Sequence, residues 1–203
     1  TVVTTATHLC IMAKQSQTLA PKNVKEWRTW LAKNHESNDI IWLVITKKDA
    51  PKQTISRGDA LDEALCYGWI DGTTHPGDEH TYVQSFSRRK PKSMWSKINK
   101  DKVALLIKEG RMAQPGLDAI KAGKANGYWN ILDDIDTLTI PPDLQAALAK
   151  KGKAAKMFDT LSPSDKKRLL AWIKFAQHPE TRQKRIDEII TDCALGIKPK
   201  YLG

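Results

Sequence analysis

Long apolar runs are missing from this 203-residue chain. The longest, at positions 40–45, falls far short of the roughly 20 residues that span a bilayer, so no transmembrane segment is expected. Cysteine is scarce. Cys10, Cys66 and Cys193 are odd in number and far apart, which excludes a disulfide-stapled scaffold and fits a reducing compartment. No Cys-x-x-Cys or His-Glu-x-x-His spacing occurs, so His75 and His80 read as polar loop residues and no metal is expected. Walker, Gly-x-Gly-x-x-Gly and Gly-x-Ser-x-Gly patterns are absent too, and no cofactor is implied. The first residues lack the basic-then-apolar layout of an export signal, which leads us to expect a cytoplasmic protein.

What is present is an ordinary globular composition, 40% hydrophobic and 28% charged, with a formal net charge of +10. The charge is uneven. Residues 87–124 carry a net of +8 and residues 150–203 a net of +7, with a net of −4 between them over 125–149. Two basic blocks thus flank an acidic stretch. Such a field draws anions, and two partner classes follow from it: a small anionic ligand or a nucleic acid.

Hydrophobic periodicity organises the rest. Residues 1–20 show no period and read as a flexible tail. Val24, Trp27, Trp30 and Leu31 recur at helical spacing, and the β-branched run 40–46 reads as a strand buried on both faces. Ser56, three residues before Asp59, predicts a capped helix to Cys66. Residues 67–73 and 81–89 predict an antiparallel pair, with Asp71 opposite Tyr82 or Val83. Ser93 is expected to cap a helix whose buried side includes Ile98, Leu105 and Leu106. Beyond the Pro141-Pro142 pair the pattern is helical, with Ser162 before Pro163 as a cap. The architecture expected is α+β: a small antiparallel-containing sheet packed with helices over 21–127, an acidic connector over 128–140, and an all-helical C-terminal unit over 141–197.

The densest polar constellation comprises Glu63, Cys66, Trp69, Asp71, Arg88, Arg89, Lys90, Ser93, Trp95, Ser96 and Asn99. A helix beginning after Ser93 would offer unpaired N–H groups and a partial positive charge to an anion. Arg88, Arg89 and Lys90 arrive just ahead of it, and a guanidinium fork matches phosphate or carboxylate. Trp95 would add an aromatic wall, and Trp69 belongs to the same candidate ligand-binding set. Glu63 is the expected carboxylate partner of Arg88 or Arg89, and Glu63 and Asp71 are the candidate general acid and base should the site be catalytic. Cys66 reads as a small buried hydrophobe.

The same residues carry a resemblance. EALCYGWIDG at 63–72, FSRRKPKSMWSKIN at 86–99, EGRM at 109–112, PPDL at 141–144, LSPS at 161–164 and ETRQKRI at 180–186 resemble the YdeI/OmpD-associated family, also called bacteriocin-protection proteins, over about 22–196. The resemblance implies a role in protection against bacteriocins and cationic antimicrobial peptides, and it carries over no catalytic residue. Three readings follow: a stress-protection protein binding a small anion at 88–96, an enzyme using Glu63 or Asp71 beside an arginine, and a nucleic-acid binder stacking bases on Phe86 or Trp95.

Overall fold

The computed structural model describes residues 17–203. They fall into two compact units. One holds residues 17–93 together with Ile98–Asn126; the other holds Met94–Lys97 and Gly127–Gly203. Among the described residues the elements of the first unit are β1 (Thr18–Leu19), α1 (Val24–Asn34), β2 (Ile40–Thr46), α2 (Arg57–Cys66), β3 (Trp69–Pro76), β4 (Thr81–Arg88), α3 (Lys97–Lys108, all but its first residue) and α4 (Gln114–Ala125).

The four strands form one mixed sheet in the order β1-β2-β4-β3. β1 pairs parallel with β2, so the expected tail already contains a strand at Thr18–Leu19; the rest of that tail, up to residue 16, lies outside the described residues. Ile41, Leu43 and Ile45 of β2 are buried, whereas Trp42 and Val44 are only half-buried. The strand is therefore covered on one face, which corrects the expectation of burial on both. Trp27, Leu31, Ala60 and Ala64 from α1 and α2 close that face over Phe86 and Trp69. Asn23 caps α1 by accepting the Glu26 N–H at 3.0 Å, and Ser56 caps α2 by accepting the Asp59 N–H at 3.1 Å.

The β3–β4 register differs from the one expected. Asp71 lies opposite Phe86, and Trp69 opposite Arg88. Strand β3 runs on to Pro76, and a bulge between Asp71 and Thr74 inserts one extra residue. Gly72 suits the bulge, because a Cβ there would come within 2.7 Å of the Ser85 Oγ.

The second unit is helical: α5 (Asp133–Asp136), α6 (Pro142–Ala149), α7 (Gly152–Thr160), α8 (Pro163–Lys174), α9 (Pro179–Ala194) and a closing 3₁₀ turn (Lys200–Leu202). Its core gathers Ile135, Leu144, Phe158, Leu169, Ile173 and Ile189. Ser162 caps α8 as expected. The acidic stretch is packed rather than free-standing: Ile135 is buried, Asp134 pairs with Lys174 at 2.6 Å and Asp136 with Lys167 at 2.9 Å. No helix among the described residues is long and apolar enough to cross a membrane.

Candidate functional site

Strand β4 delivers Arg88 and Arg89 to the end of the sheet. The ladder extends past Arg88, since the Arg89 N–H donates to the Gly68 carbonyl at 2.9 Å. Gly68 closes the α2–β3 turn at φ +74°, in the left-handed region open to glycine. A Cβ there would meet the Pro115 carbonyl at 2.8 Å, and one on Gly116 would meet the Cys66 carbonyl at 2.3 Å. Two glycines thus let the first turn of α4 approach the α2–β3 turn, and the Ala113 N–H seals the approach by donating to the Cys66 carbonyl at 3.1 Å.

Beside this junction lies a cleft of about 580 Å³. Arg88 and Arg89 line it from the end of β4, Tyr67 and Gly68 from the α2–β3 turn, Asp118 and its neighbours from α4, and His35 and Glu36 from the segment after α1. Arg88 donates to Asp39 Oδ1 at 2.9 Å. Arg89 is largely withdrawn from water, and burial pushes its guanidinium pKa down to about 10, against the opposing pull of the Asp71 charge. It still carries its charge at neutral pH. Cation density in a partly desolvated recess acts on a guest more strongly than the same charge in water.

Glu63 sits elsewhere. At 3% exposure on α2 it accepts Arg28 at 2.6 Å on one oxygen and Arg111 at 2.7 Å on the other. Arg28 also donates to the Arg111 carbonyl at 2.8 Å and lies over the Tyr67 ring. The Glu63 bond, with a further one to Glu109, holds the Arg111 pKa above its ordinary value. These partners replace the expected Arg88 or Arg89, because α1 and the 109–112 turn reach α2 and the end of β4 does not. Burial, aided by the Glu63 charge, raises the Cys66 pKa, in keeping with a thiol packed as a hydrophobe. Asp71 accepts Arg57 at 3.0 Å and Gln84 at 3.1 Å. Neither carboxylate lines the cleft.

The expected helix-capped pocket does not form. Ser93 is not a cap: its Oγ accepts the Lys90 N–H at 2.9 Å and its own N–H returns to the Lys90 carbonyl, closing a turn. Helix α3 starts at Lys97, whose N–H donates to Asp136 Oδ2 at 2.9 Å, so a carboxylate of the protein already occupies that helix tip. Trp95 is 1% exposed, with its ring 5.0 Å from Trp129 in the second unit. Trp69 is fully buried and donates its Nε1–H to the His35 carbonyl at 3.2 Å. Lys90, Ser93, Trp95, Ser96 and Asn99 do not line the cleft. Phe86 and Trp95 are both buried, so neither offers a face for base stacking. Ile98 and Leu105, expected inside, are 69% and 56% exposed, while Val103 and Leu106 are the buried positions of α3.

Of the residues singled out from sequence, Arg88 and Arg89 are the pair that the cleft retains. Tyr67 and Asp118 were missed. The Tyr67-Gly68 step is a recognisable turn signal, whereas nothing local marks Asp118, which α4 brings in from a distant part of the chain.

Comparison with known families divides along the same line. Residues 137–196 match the family model described as Bacteriocin-protection, YdeI or OmpD-Associated. The YdeI/OmpD-associated resemblance therefore holds over the helical segment. Residues 19–119, which carry the cleft and the Glu63 cluster, match a separate model, described as a domain of unknown function (DUF8412). No curated protein and no solved structure matches the chain significantly.

Proposed function

We propose that this chain binds a small anionic ligand in the Arg88–Arg89 cleft and serves in a stress- or antimicrobial-peptide-protection role. The observation that carries the binding reading is Arg89, a guanidinium largely withdrawn from water in the wall of a cleft of about 580 Å³. That volume falls within the roughly 300–1,000 Å³ usual for small-molecule sites. The protective role rests on the family match over residues 137–196. The cleft is too short of aromatic faces for a nucleic-acid strand, and its lining includes the acidic Glu36 and Asp118.

The test is a thermal-shift and calorimetric screen of carboxylated and phosphorylated metabolites against the wild-type chain, R88M and R89M. We expect saturable stabilisation by at least one ligand, weakened by about tenfold or more in R89M, the scale of one lost charge-assisted contact. Equal affinity in all three proteins, or no stabilisation across the screen, would refute the cleft as a binding site.

A further inference from the structure

We propose that the anion held in this cleft is a monocarboxylate with an apolar body, its head on Arg88 and its body along helix α4. The inference rests on the anion-binding reading above and narrows it to a ligand class. Charge sets the first limit. Arg88 and Arg89 share the lining with Glu36 and Asp118. Two cations facing two carboxylates leave no surplus for a second or third negative charge, so a compact polyanion gains little. The head falls to Arg88. Its side chain is 48% exposed, it bonds Asp39 at 2.9 Å, and it reaches the Glu36 carbonyl only at 3.5 Å. A guanidinium carries more donors than those two contacts use. Arg89 has its Nε and Nη2 sealed from solvent, so those atoms offer a guest no bond and its part is the field of its charge.

Volume sets the second limit. About 580 Å³ far exceeds what a bare carboxylate fills, so most of a well-fitting guest is something other than its charge. Helix α4 shows what that remainder meets. Pro115, Ala119 and Ala122 line the cleft at i, i+4 and i+7, one face of the helix, over about 10 Å at 1.5 Å per residue. Tyr67 adds an aromatic surface from the α2–β3 turn. The polar pair beside that face is satisfied internally, because Gln114 Nε2 donates to Asp118 at 2.9 Å. Affinity in such a recess comes from apolar area removed from water, about fourfold for each buried methylene. A monocarboxylic acid with an acyl or aryl body gains from both the arginine and the α4 wall, whereas citrate or inorganic phosphate has no body to lay on that wall.

Calorimetry on the full chain with acetate, butyrate, hexanoate and octanoate tests the assignment, with hexanamide and citrate for comparison. Affinity should climb about fourfold per methylene from butyrate upward, and citrate should bind more weakly than hexanoate. Hexanamide keeps the body and loses the charge, and should bind about tenfold more weakly than hexanoate. R88M should weaken every acid by about tenfold, with R88K partly restoring them. Ala122 is exposed, so A122N is expected to melt like the wild type. It should weaken octanoate by about fivefold and butyrate by less, which flattens the series. Affinity that does not change with chain length, or citrate binding more tightly than hexanoate, overturns the apolar body and leaves the anion cleft standing. So does octanoate binding untouched by R88M or by A122N, which would put the acid elsewhere. Hexanamide binding as tightly as hexanoate, or no binding by these acids and by every anion of the screen, overturns both readings.

Discussion

The two units put similar basic side chains to different uses. In the helical unit they go into packing. Arg182 grips Asp143 through two bonds, at 2.6 and 3.0 Å, and Lys167 and Lys174 hold the acidic α5. Arg185 lies over Trp172 and donates to its carbonyl, while Arg168 lies over Tyr201, whose ring stacks on Trp172 at 4.3 Å. In the sheet unit, Arg28 and Arg111 are likewise held by Glu63 and Arg88 by Asp39, while Arg88 and Arg89 also line a cleft. Net charge therefore did not mark the site. What distinguishes Arg89 is desolvation beside open space.

The sharpest way to break this comparison is to remove the buried carboxylate. E63A leaves Arg28 and Arg111 without their common partner and should cost about 3 kcal/mol in urea unfolding, toward the lower end for a broken buried pair because both arginines stay partly in water. A loss below about 1 kcal/mol would mean that Glu63 is not the keystone of the α1–α2 contact. R89M should act on binding rather than on folding. The burial that lowers the Arg89 pKa offsets part of what its charge contributes, so stability is expected to change by less than about 1 kcal/mol while ligand binding falls. A loss of stability approaching that of E63A would place Arg89 with the structural arginines of the helical unit.

S56A and S162A probe a feature common to both units, and each should cost about 1 kcal/mol, the usual worth of an N-cap. The smallest effect concerns acid. Its bond to Arg182 holds Asp143 below the usual carboxylate range. A depressed folded-state pKa contributes stability that is present above the unfolded value, about 4, and is lost as pH falls through the folded one. D143N should flatten the acid limb of the melting-temperature profile below about pH 4 by a correspondingly small amount, under about 1 kcal/mol for so exposed a pair. An unchanged limb would show that the pair contributes nothing.

Elements with local signals were legible before any coordinates. The Ser56 and Ser162 caps, the strand at 40–46 and the antiparallel pairing of β3 with β4 were all anticipated, because each depends on signals within a few positions of one another. Where long-range packing decides, the reading failed. Ser93 has the chemistry of a cap, yet its side chain closes a turn on Lys90, Trp95 is buried and α3 starts only at Lys97. The hairpin register slipped because the length of β3 and its bulge at Gly72 are set by the partner strand. Glu63 was expected to pair with Arg88 or Arg89, but its partners come from α1 and the 109–112 turn, far away in sequence.

By itself, then, the sequence determined the α+β class, most element boundaries and the presence of two adjacent arginines at a strand end, since short-range sterics and hydrogen bonding suffice for these. Tertiary structure alone decided that Arg88 and Arg89 share a cleft with Glu36 and Asp118 while Glu63 closes on Arg28 and Arg111. The reason is physical: desolvation and ion pairing depend on which distant segments are packed together, and no window along the chain contains that information.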